Sequence, residues 1–205
     1  IIEQRLKKLG KWIESHRPNC KWKVCVDSSA LMDKAWAEEA GIGWIGKNGN
    51  LINQKNGSWM VLGNLLCTEE LIADKRQKPS CDSCEKCIDA CPTKAIEEPF
   101  VVNSNRCLAY HTIENREKEL PKEITDYLGQ WVAGCDICQE VCPWNQNNIP
   151  ITSEPDLQPS DWLSNITKKD ALSWSDEKWK ENLNDSALKR MKPWMWRRNI
   201  NSISN

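Results

Sequence analysis

The cysteines of this 205-residue chain constrain its fold more than any other feature, because most of them lie in two short runs. Residues 81–92 read CDSCEKCIDACP, and residues 135–143 read CDICQEVCP. Gaps of two, two and three residues closed by Cys-Pro are the spacing with which a loop binds three corners of a 4Fe-4S cube and sends its fourth cysteine to a second cube. The runs therefore predict two 4Fe-4S clusters on a ferredoxin-like module.

The second run is one cysteine short, and the isolated Cys107, sixteen residues after Cys91, is the natural replacement. One cluster is then assigned Cys81, Cys84, Cys87 and Cys142, and the other Cys91, Cys107, Cys135 and Cys138. Structural zinc is the alternative, but paired zinc motifs lie ~15–20 residues apart and have no use for three cysteines so close together. The remaining Cys20, Cys25 and Cys67 are predicted to be ordinary buried thiols.

Charge and hydropathy exclude several classes of protein. The 28 lysines and arginines against 29 aspartates and glutamates leave a net charge of -1, so any binding to nucleic acid must come from a local patch. No apolar run approaches the ~20 residues that span a bilayer, and no export leader is visible. Clustered cysteines without a leader are typical of metal binding in a reducing cytosol, which predicts a cytoplasmic protein. Because the chain opens on Ile1 inside an amphipathic pattern, we expect an upstream portion to be missing.

Periodicity and turn residues predict an α+β chain. A helix over residues 1–16 precedes a short strand, Lys23–Asp27, and a second helix, Ala30–Ala40, which Gly41 ends. Four glycines in residues 41–49 (GIGWIGKNG) require a shaped loop, and Ser58–Leu65 reads as a buried strand. Residues 1–73 therefore look like part of an α/β layer. A loop-rich module follows over residues 81–143, and helical material runs from about Lys168 to the end.

Two clusters form a one-electron relay that must deliver its electrons somewhere. A ferredoxin that only carries electrons needs far fewer residues than the segments that flank the cysteine runs provide. An attached reductase is the economical explanation.

Several motifs together resemble the epoxyqueuosine reductase family. They are VDSSALMDKAWAEEAGIGWIGKN (residues 26–48), GSWMVLG (57–63), the two cysteine runs, CLAYHTIE (107–114) and CPWN (142–145). The resemblance implies an enzyme that uses cobalamin and two 4Fe-4S clusters to reduce epoxyqueuosine to queuosine in tRNA. It also implies a fold in which residues 1–73 are the C-terminal part of a nitroreductase-like cobalamin domain, 74–146 the double-cluster module, and 147–205 a polar linker and helical tail.

The same resemblance implies site residues. Asp27 matches the family's proposed proton donor, although Ala30 stands where the family usually has proline. Burial at the end of an apolar strand would raise the pKa of Asp27 enough for a neutral carboxyl, whereas the alternative is an ordinary helix N-cap. Contacts to cobalamin are expected from the glycine-rich loop and the residues directly after it, and from the two residues that flank Cys135. They are Lys47, Asn48, Asn50, Leu51, Gly134 and Asp136.

The resemblance to the family also implies the partners of the protein. The substrate is expected to be tRNA, the electron donor an unidentified low-potential protein, and the oligomeric state a monomer without membrane contact. Candidates to meet the modified base surround Cys107, namely Arg106, Tyr110, Thr112 and Glu114. Phosphate contact and base stacking are expected near the C-terminus, at Lys189, Arg190, Lys192, Arg197, Arg198, Trp194 and Trp196. A plain solvated helix is the alternative there, and His111 is expected to be a satisfied polar residue.

Two other functions remain open from the sequence. A reductive dehalogenase also joins cobalamin to two ferredoxin-type clusters, but it uses tyrosine as its acid and carries an export leader. A non-enzymatic electron carrier would use residues 1–73 only for docking. Detection of bound corrin would separate the carrier from both enzymes.

Overall fold

The computed structural model describes residues 1–146, 149–184 and 186–203. They fall into two compact units, one of Ile1–Cys84 with Cys142–Ile151 and one of Glu85–Val141 with Thr152–Asn205. Among the described helices, none is both long and apolar enough to cross a bilayer.

The first unit combines two helices with four short strands. In chain order these are α1 (Ile2–His16), β1 (Trp22–Cys25), α2 (Asp33–Glu39), β2 (Trp44–Ile45), β3 (Leu51–Ile52) and β4 (Asn64–Cys67). Strand β1 pairs antiparallel with β4, and α1 packs against this pair. The close approach needs Gly10, because a Cβ there would lie 2.4 Å from the Trp22 ring. The predicted first helix and first strand are confirmed to within one or two residues.

Two predicted elements of this unit differ from the structure. Helix α2 begins at Asp33 instead of Ala30, although it ends as expected, with Gly41 in the left-handed region at φ 71°. The predicted buried strand Ser58–Leu65 is wrong, since β4 begins only at Asn64 and none of its residues is buried. Ser58 is held in a turn instead, where its N–H donates to Asn145 Oδ1 at 2.8 Å.

The sheets of the described residues are three antiparallel strand pairs. Two lie in the first unit, β1 with β4 and β2 with β3. The predicted mixture of helices and strands is therefore confirmed, but the described part of residues 1–73 forms no larger layered sheet.

The second unit carries short helices around the cysteines and longer ones near the C-terminus. Its elements are α3 (Lys86–Ala90), β5 (Ile96–Glu98), β6 (Val101–Val102), α4 (Leu108–Ile113), α5 (Lys122–Thr125), α6 (Ile137–Glu140), α7 (Asp161–Asn165), α8 (Lys168–Ser173), α9 (Asp176–Leu183) and α10 (Pro193–Ser202). The loop-rich cysteine module and the helices after Lys168 are confirmed. Residues 185, 204 and 205 of the predicted helical tail lie outside the described residues.

Helices α8, α9 and α10 enclose the main core of the second unit. Its buried members are Ala171, Trp179, Leu183, Met191, Met195, Trp196 and Ile200. Full burial of an aliphatic side chain such as Leu183 contributes roughly 1.5–3 kcal/mol. The indole N–H of Trp196 donates to the Ala171 carbonyl at 3.2 Å, which satisfies the polar atom of a buried ring. Trp196 is therefore a core residue, contrary to the predicted stacking on a base.

Candidate iron-sulfur and reductase site

Five of the cysteines predicted to bind clusters lie in the second unit, within or next to short helices. Cys87 lies in α3 and Cys91 follows its last residue, while Cys107 directly precedes α4. Cys138 lies in α6, which packs against α3, and Cys135 precedes α6 by two residues. Two of these five thiols thus lie within helices of four or five residues, and the other three lie in the segments next to short helices.

The thiols of the second unit interact with one another electrostatically. Burial raises the pKa of Cys138 to about 12, with further contributions from Cys135, Cys87, Cys107 and Cys91. Burial also raises the pKa of Cys135, and Cys107 and Cys91 add to the rise. A thiol must lose its proton to bind iron, so the positive charge of bound iron would offset both the burial and the mutual repulsion.

Hydrogen-bond donors lie close to the Cys91 sulfur. The N–H of Ala95 donates to Cys91 Sγ at 3.2 Å, and the hydroxyl of Thr93 lies 3.8 Å from the same sulfur. Hydrogen bonds to ligand sulfurs are a standard means by which proteins adjust cluster potential. This donor set fits an iron-sulfur cluster.

In the first unit, Cys142 is buried in an apolar cluster with Trp44 and Ile52, and Cys81 and Trp144 pack against it. Burial raises the pKa of Cys142, and Cys81 and Cys84 raise it further. Trp144 donates its indole N–H to the Ser80 carbonyl at 3.1 Å. Among the described residues, the buried indole N–H of Trp44 has no hydrogen-bond partner. A buried N–H beside these cysteines could donate a hydrogen bond to a sulfur atom of a cluster. The sequence analysis did not identify Trp44 as a functional residue, although it lies in the GWIGKN motif.

The described residues contain no group of three or more histidine, cysteine, aspartate or glutamate side chains arranged to hold a metal ion. The four thiols of a cube bind four different iron atoms, so they lie farther apart than the ligands of a single ion.

Helix α10 holds the loops that carry Cys107 and Cys135. The Asn199 amide donates to the carbonyls of Thr112 and Val132, both at 2.8 Å. Thr112 in turn donates its hydroxyl to the Leu108 carbonyl at 2.9 Å and accepts the Gly134 N–H at 3.0 Å. Thr112 is fully buried, so its predicted contact with the modified base is wrong.

Arg198 is a second structural link from α10. Its guanidinium donates to the carbonyls of His111 at 2.9 Å, Asn115 at 3.0 Å and Glu117 at 2.5 Å. Only 8% of Arg198 is exposed, so most of its side chain serves packing within the second unit. His111 is confirmed as a satisfied polar residue, since it donates from Nε2 to the Asn105 carbonyl and accepts at Nδ1 from the Asn115 amide, both at 2.8 Å.

Other predicted RNA contacts differ in their environments. Arg197 donates to Asp176 at 2.6 Å and to the Trp174 carbonyl at 2.9 Å. Arg190 forms an ion pair with Glu114, and Arg106 lies 3.9 Å from Glu97. Arg106 and Arg190 stay exposed despite these contacts, as do Tyr110, Lys189, Lys192 and Trp194.

Asp27 lies in an exposed turn after β1, in the left-handed region at φ 47°. The expected burial is therefore wrong for this conformation. The alternative role as N-cap of α2 is also wrong, because that position belongs to Met32. Ser29 closes the turn, since its hydroxyl accepts the Val26 N–H at 3.1 Å and donates to the Val26 carbonyl at 3.0 Å.

The glycine-rich loop is shaped by its own contacts. Asn48 is buried and its Oδ1 accepts the Asn50 N–H at 3.1 Å, while Lys34 Nζ donates to the Gly49 carbonyl at 2.7 Å. A Cβ on Gly43 would lie 2.1 Å from the Ile52 carbonyl oxygen, so the chain can approach β3 only with glycine there. Leu51 is buried in β3, and Lys47 is partly exposed.

The segment around Cys135 also has a defined shape. Gly134 adopts φ 78°, and Asp136 accepts the Gln139 side-chain N–H at 2.6 Å beside α6. Of the cysteines outside the runs, Cys20 and Cys25 are buried as predicted. Cys67 is only partly buried, and it ends strand β4, in which no residue is buried.

Similarity to known proteins covers the whole chain. Residues 80–145 match a family described as a 4Fe-4S double cluster binding domain. An epoxyqueuosine reductase of Prochlorococcus marinus is 69% identical over 100% of this chain and 65% of its own length. Another, from Synechocystis, is 46% identical over 97% of this chain and 69% of its own length. The chain belongs to the epoxyqueuosine reductase family.

Solved epoxyqueuosine reductases share its structure as well. One, described with a tRNA-Tyr epoxyqueuosine-modified tRNA stem loop, is 30% identical with a TM-score of 0.86 and covers 97% of this chain and 53% of its own. A second, from Bacillus subtilis, is described with its catalytic aspartate loop swung out of the active site. It is 30% identical with a TM-score of 0.89 and covers 97% of this chain and 52% of its own. The chain thus spans about half to two thirds of the length of these epoxyqueuosine reductases. The match of residues 80–145 to a double-cluster binding domain shows that the cysteine module is of the type that binds 4Fe-4S clusters.

Proposed function

We propose that the protein of which this chain is part reduces epoxyqueuosine to queuosine in tRNA, with electrons from two 4Fe-4S clusters. The observation that carries the proposal is the 69% identity to an epoxyqueuosine reductase along the entire chain, cysteine runs included. The eight cysteines assigned above are the proposed cluster ligands. The solved relative with a modified tRNA stem loop supports tRNA as the substrate.

Cobalamin is the proposed partner of the clusters, in a domain of nitroreductase type to which residues 1–73 contribute. Bound cobalamin would supply the carbon-directed reductant. Lys47 and Asn50 are available at the partly exposed part of the glycine-rich loop, whereas Asn48 and Leu51 are buried and shape the loop beneath them. Loop backbone amides can hold anionic or carboxamide groups, and this suits a corrin edge. Gly134 and Asp136 are proposed to contact the same cofactor from the cluster module.

Asp27 is proposed to donate the proton that accompanies loss of the epoxide oxygen. A general acid must keep its proton until the epoxide oxygen leaves, and burial of the exposed turn by bound substrate would favour the protonated form. The Bacillus subtilis relative, whose catalytic aspartate loop is described as swung out, supports an aspartate loop that changes position.

The remaining proposals concern organisation and partners. Residues 74–146 would form the double-cluster module and 147–205 a linker and helical segment beside it. A low-potential electron donor would reduce the clusters, and the protein would act as a cytoplasmic monomer without membrane contact. Bound corrin in the purified complete protein would argue against a pure electron carrier.

Deletion of the gene should change the nucleosides of cellular tRNA in a specific way. We expect queuosine to disappear and epoxyqueuosine to accumulate, because only the last reduction is blocked. Liquid chromatography with mass spectrometry of digested tRNA measures both nucleosides, and a plasmid copy of the gene should restore queuosine. Unchanged queuosine in the deletion strain would contradict the proposed activity.

Replacement of Trp44 with phenylalanine should lower the reduction potential of the cluster assigned to Cys81 and Cys142. Phenylalanine keeps an aromatic ring but removes the N–H, and a hydrogen bond to sulfur stabilises the more negative, reduced cluster. We expect a shift on the order of tens of millivolts in an anaerobic redox titration followed by EPR. Trp144→Phe is the control, since the Trp144 N–H already donates to the Ser80 carbonyl. Equal potentials in wild type and Trp44→Phe would contradict the role of this donor.

A further inference from the structure

A cavity of about 890 Å³ opens beside helix α10 in the second unit. This volume falls within the ~300–1,000 Å³ range of ligand pockets. Its lining includes four cationic side chains and one exposed tryptophan, namely Arg116, Lys118, Arg197, Arg198 and Trp194. Glu119 adds one carboxylate. This excess of positive charge stands out in a chain whose net charge is -1.

Among the described residues, the guanidinium groups of Arg116 and Arg198 donate hydrogen bonds only to neutral groups, so neither positive charge is paired with a carboxylate. Arg198 donates to main-chain carbonyls and to Asn199 Oδ1, all of which are neutral. Arg116 donates to the Met195 sulfur at 2.6 Å and to the Arg190 carbonyl at 3.3 Å. Within the described part of the chain, no carboxylate forms an ion pair with either group. Burial lowers the pKa of Arg198, and the neighbouring Arg116 lowers it further.

Two adjacent cations with neutral partners repel each other and favour an anion between or beside them. Buried charges in proteins are normally paired, and arginine binds phosphate through several N–H groups at once. Lys118 is exposed at the same cavity, and no ion pair involving it occurs among the described residues. The cavity therefore has the charge of a phosphate site.

Trp194 adds a flat apolar surface to this charge. It is 40% exposed, and the Arg198 guanidinium lies 5.4 Å from its ring centroid. An exposed tryptophan next to arginines and a lysine is the combination with which proteins bind single-stranded RNA, by stacking a base and pairing its phosphates. Neither free phosphate nor a lipid headgroup would need the aromatic surface.

We infer that the cavity lined by Arg116, Lys118 and Trp194 is a binding site for a phosphodiester and an adjacent unpaired base of the substrate RNA. The inference rests on the proposed function, which supplies tRNA as the RNA. It replaces the buried Trp196 as the stacking residue with Trp194, which is exposed at the cavity. It also gives Arg198 an electrostatic role in binding, in addition to its role in packing.

The test uses the complete protein with its clusters and an unmodified tRNA anticodon stem-loop as the probe. Fluorescence anisotropy would measure the affinity for this RNA from about 50 to 200 mM salt, a range over which rising salt weakens phosphate contacts. Lys118→Gln should lower the log-log salt slope by about 0.7, the value for one phosphate contact to a single strand. Trp194→Leu should weaken binding roughly 5- to 100-fold, and Trp194→Phe should retain much of the affinity. Lys180→Gln on α9 is the matched control, because Lys180 is exposed outside the cavity.

The iron content and the melting temperature of each variant would show that it is folded. Equal salt slopes for wild type and Lys118→Gln, or equal affinities for wild type and Trp194→Leu, would overturn the inference. Displacement of the RNA by inorganic phosphate at constant ionic strength, with Trp194→Leu binding as wild type, would identify a free-phosphate site and overturn it too. The predicted result is instead weak competition by phosphate.

Single-turnover rates separate this inference from the proposed activity. At saturating RNA, Lys118→Gln and Trp194→Leu should reduce epoxyqueuosine at the wild-type rate, with a raised RNA concentration at half-saturation. Loss of RNA affinity in the variants combined with no reduction by wild type would leave the binding site standing and refute the activity. Normal reduction by wild type with unchanged affinity in both variants would refute the binding site alone.

Discussion

Asp27→Asn should lower the single-turnover rate of epoxyqueuosine reduction by about 100- to 10,000-fold, the usual contribution of a general acid. Asparagine is an informative replacement here, because it adopts the left-handed backbone that Asp27 has at φ 47° as readily as aspartate does. The turn should therefore persist while the transferable proton is lost. Pre-reduced complete protein at matched cobalamin occupancy, with epoxyqueuosine-containing tRNA, provides the measurement.

Asp74→Asn serves as the control for this experiment, since Asp74 is also exposed in the first unit but belongs to the charged stretch before the cysteines. It should leave the rate unchanged. Because Asp27 does not cap α2, a rate effect cannot be attributed to loss of a helix cap. An Asp27→Asn variant that keeps more than about a tenth of the wild-type rate would exclude Asp27 as the essential acid.

Cys91→Ser should remove one cluster and spare much of the other. Wild-type protein prepared without oxygen should contain about eight iron and eight sulfide ions per chain, because two cubes hold four of each. The variant should contain about four, since Cys91 is assigned to the cluster with Cys107, Cys135 and Cys138. The loss of the Ala95 N–H bond to the Cys91 sulfur accompanies the loss of the ligand. Iron and sulfide analysis combined with EPR measures the change.

Cys67→Ser is the matched control, because Cys67 is partly exposed and lies outside both cysteine runs. It should keep the full iron content. Selective loss of the cluster assigned to Cys81 and Cys84 in Cys91→Ser would show that the crossover ligands are exchanged. About one zinc ion per chain without sulfide in wild type would refute the cluster assignment.

The sequence by itself determined those features that depend on interactions between residues close together in the chain. The spacing of Cys81, Cys84 and Cys87 within one short segment limits the chain to a loop that can surround a cluster. The amphipathic period of residues 1–16 predicted α1, and Gly41 predicted the end of α2, because both signals act within a few residues. The strand predicted from Ser58 was wrong, since the distant Asn145 holds Ser58 in a turn. The predicted start of α2 was wrong as well, and the first residue of that helix, Asp33, accepts a hydrogen bond from the distant Asn64 amide.

Only the tertiary structure decided which polar side chains serve binding and which serve the scaffold. Arg198 and Thr112 both read as RNA-contact candidates, yet Arg198 donates to carbonyls as far as 87 residues away, and Thr112 is fully buried under the Gly134 loop. Trp194 and Trp196 are two residues apart on α10, which turns by about 100° per residue, so one ring faces the cavity and the other the core. The burial of a side chain depends on which distant segments of the chain pack against it, and a local sequence pattern does not identify those segments.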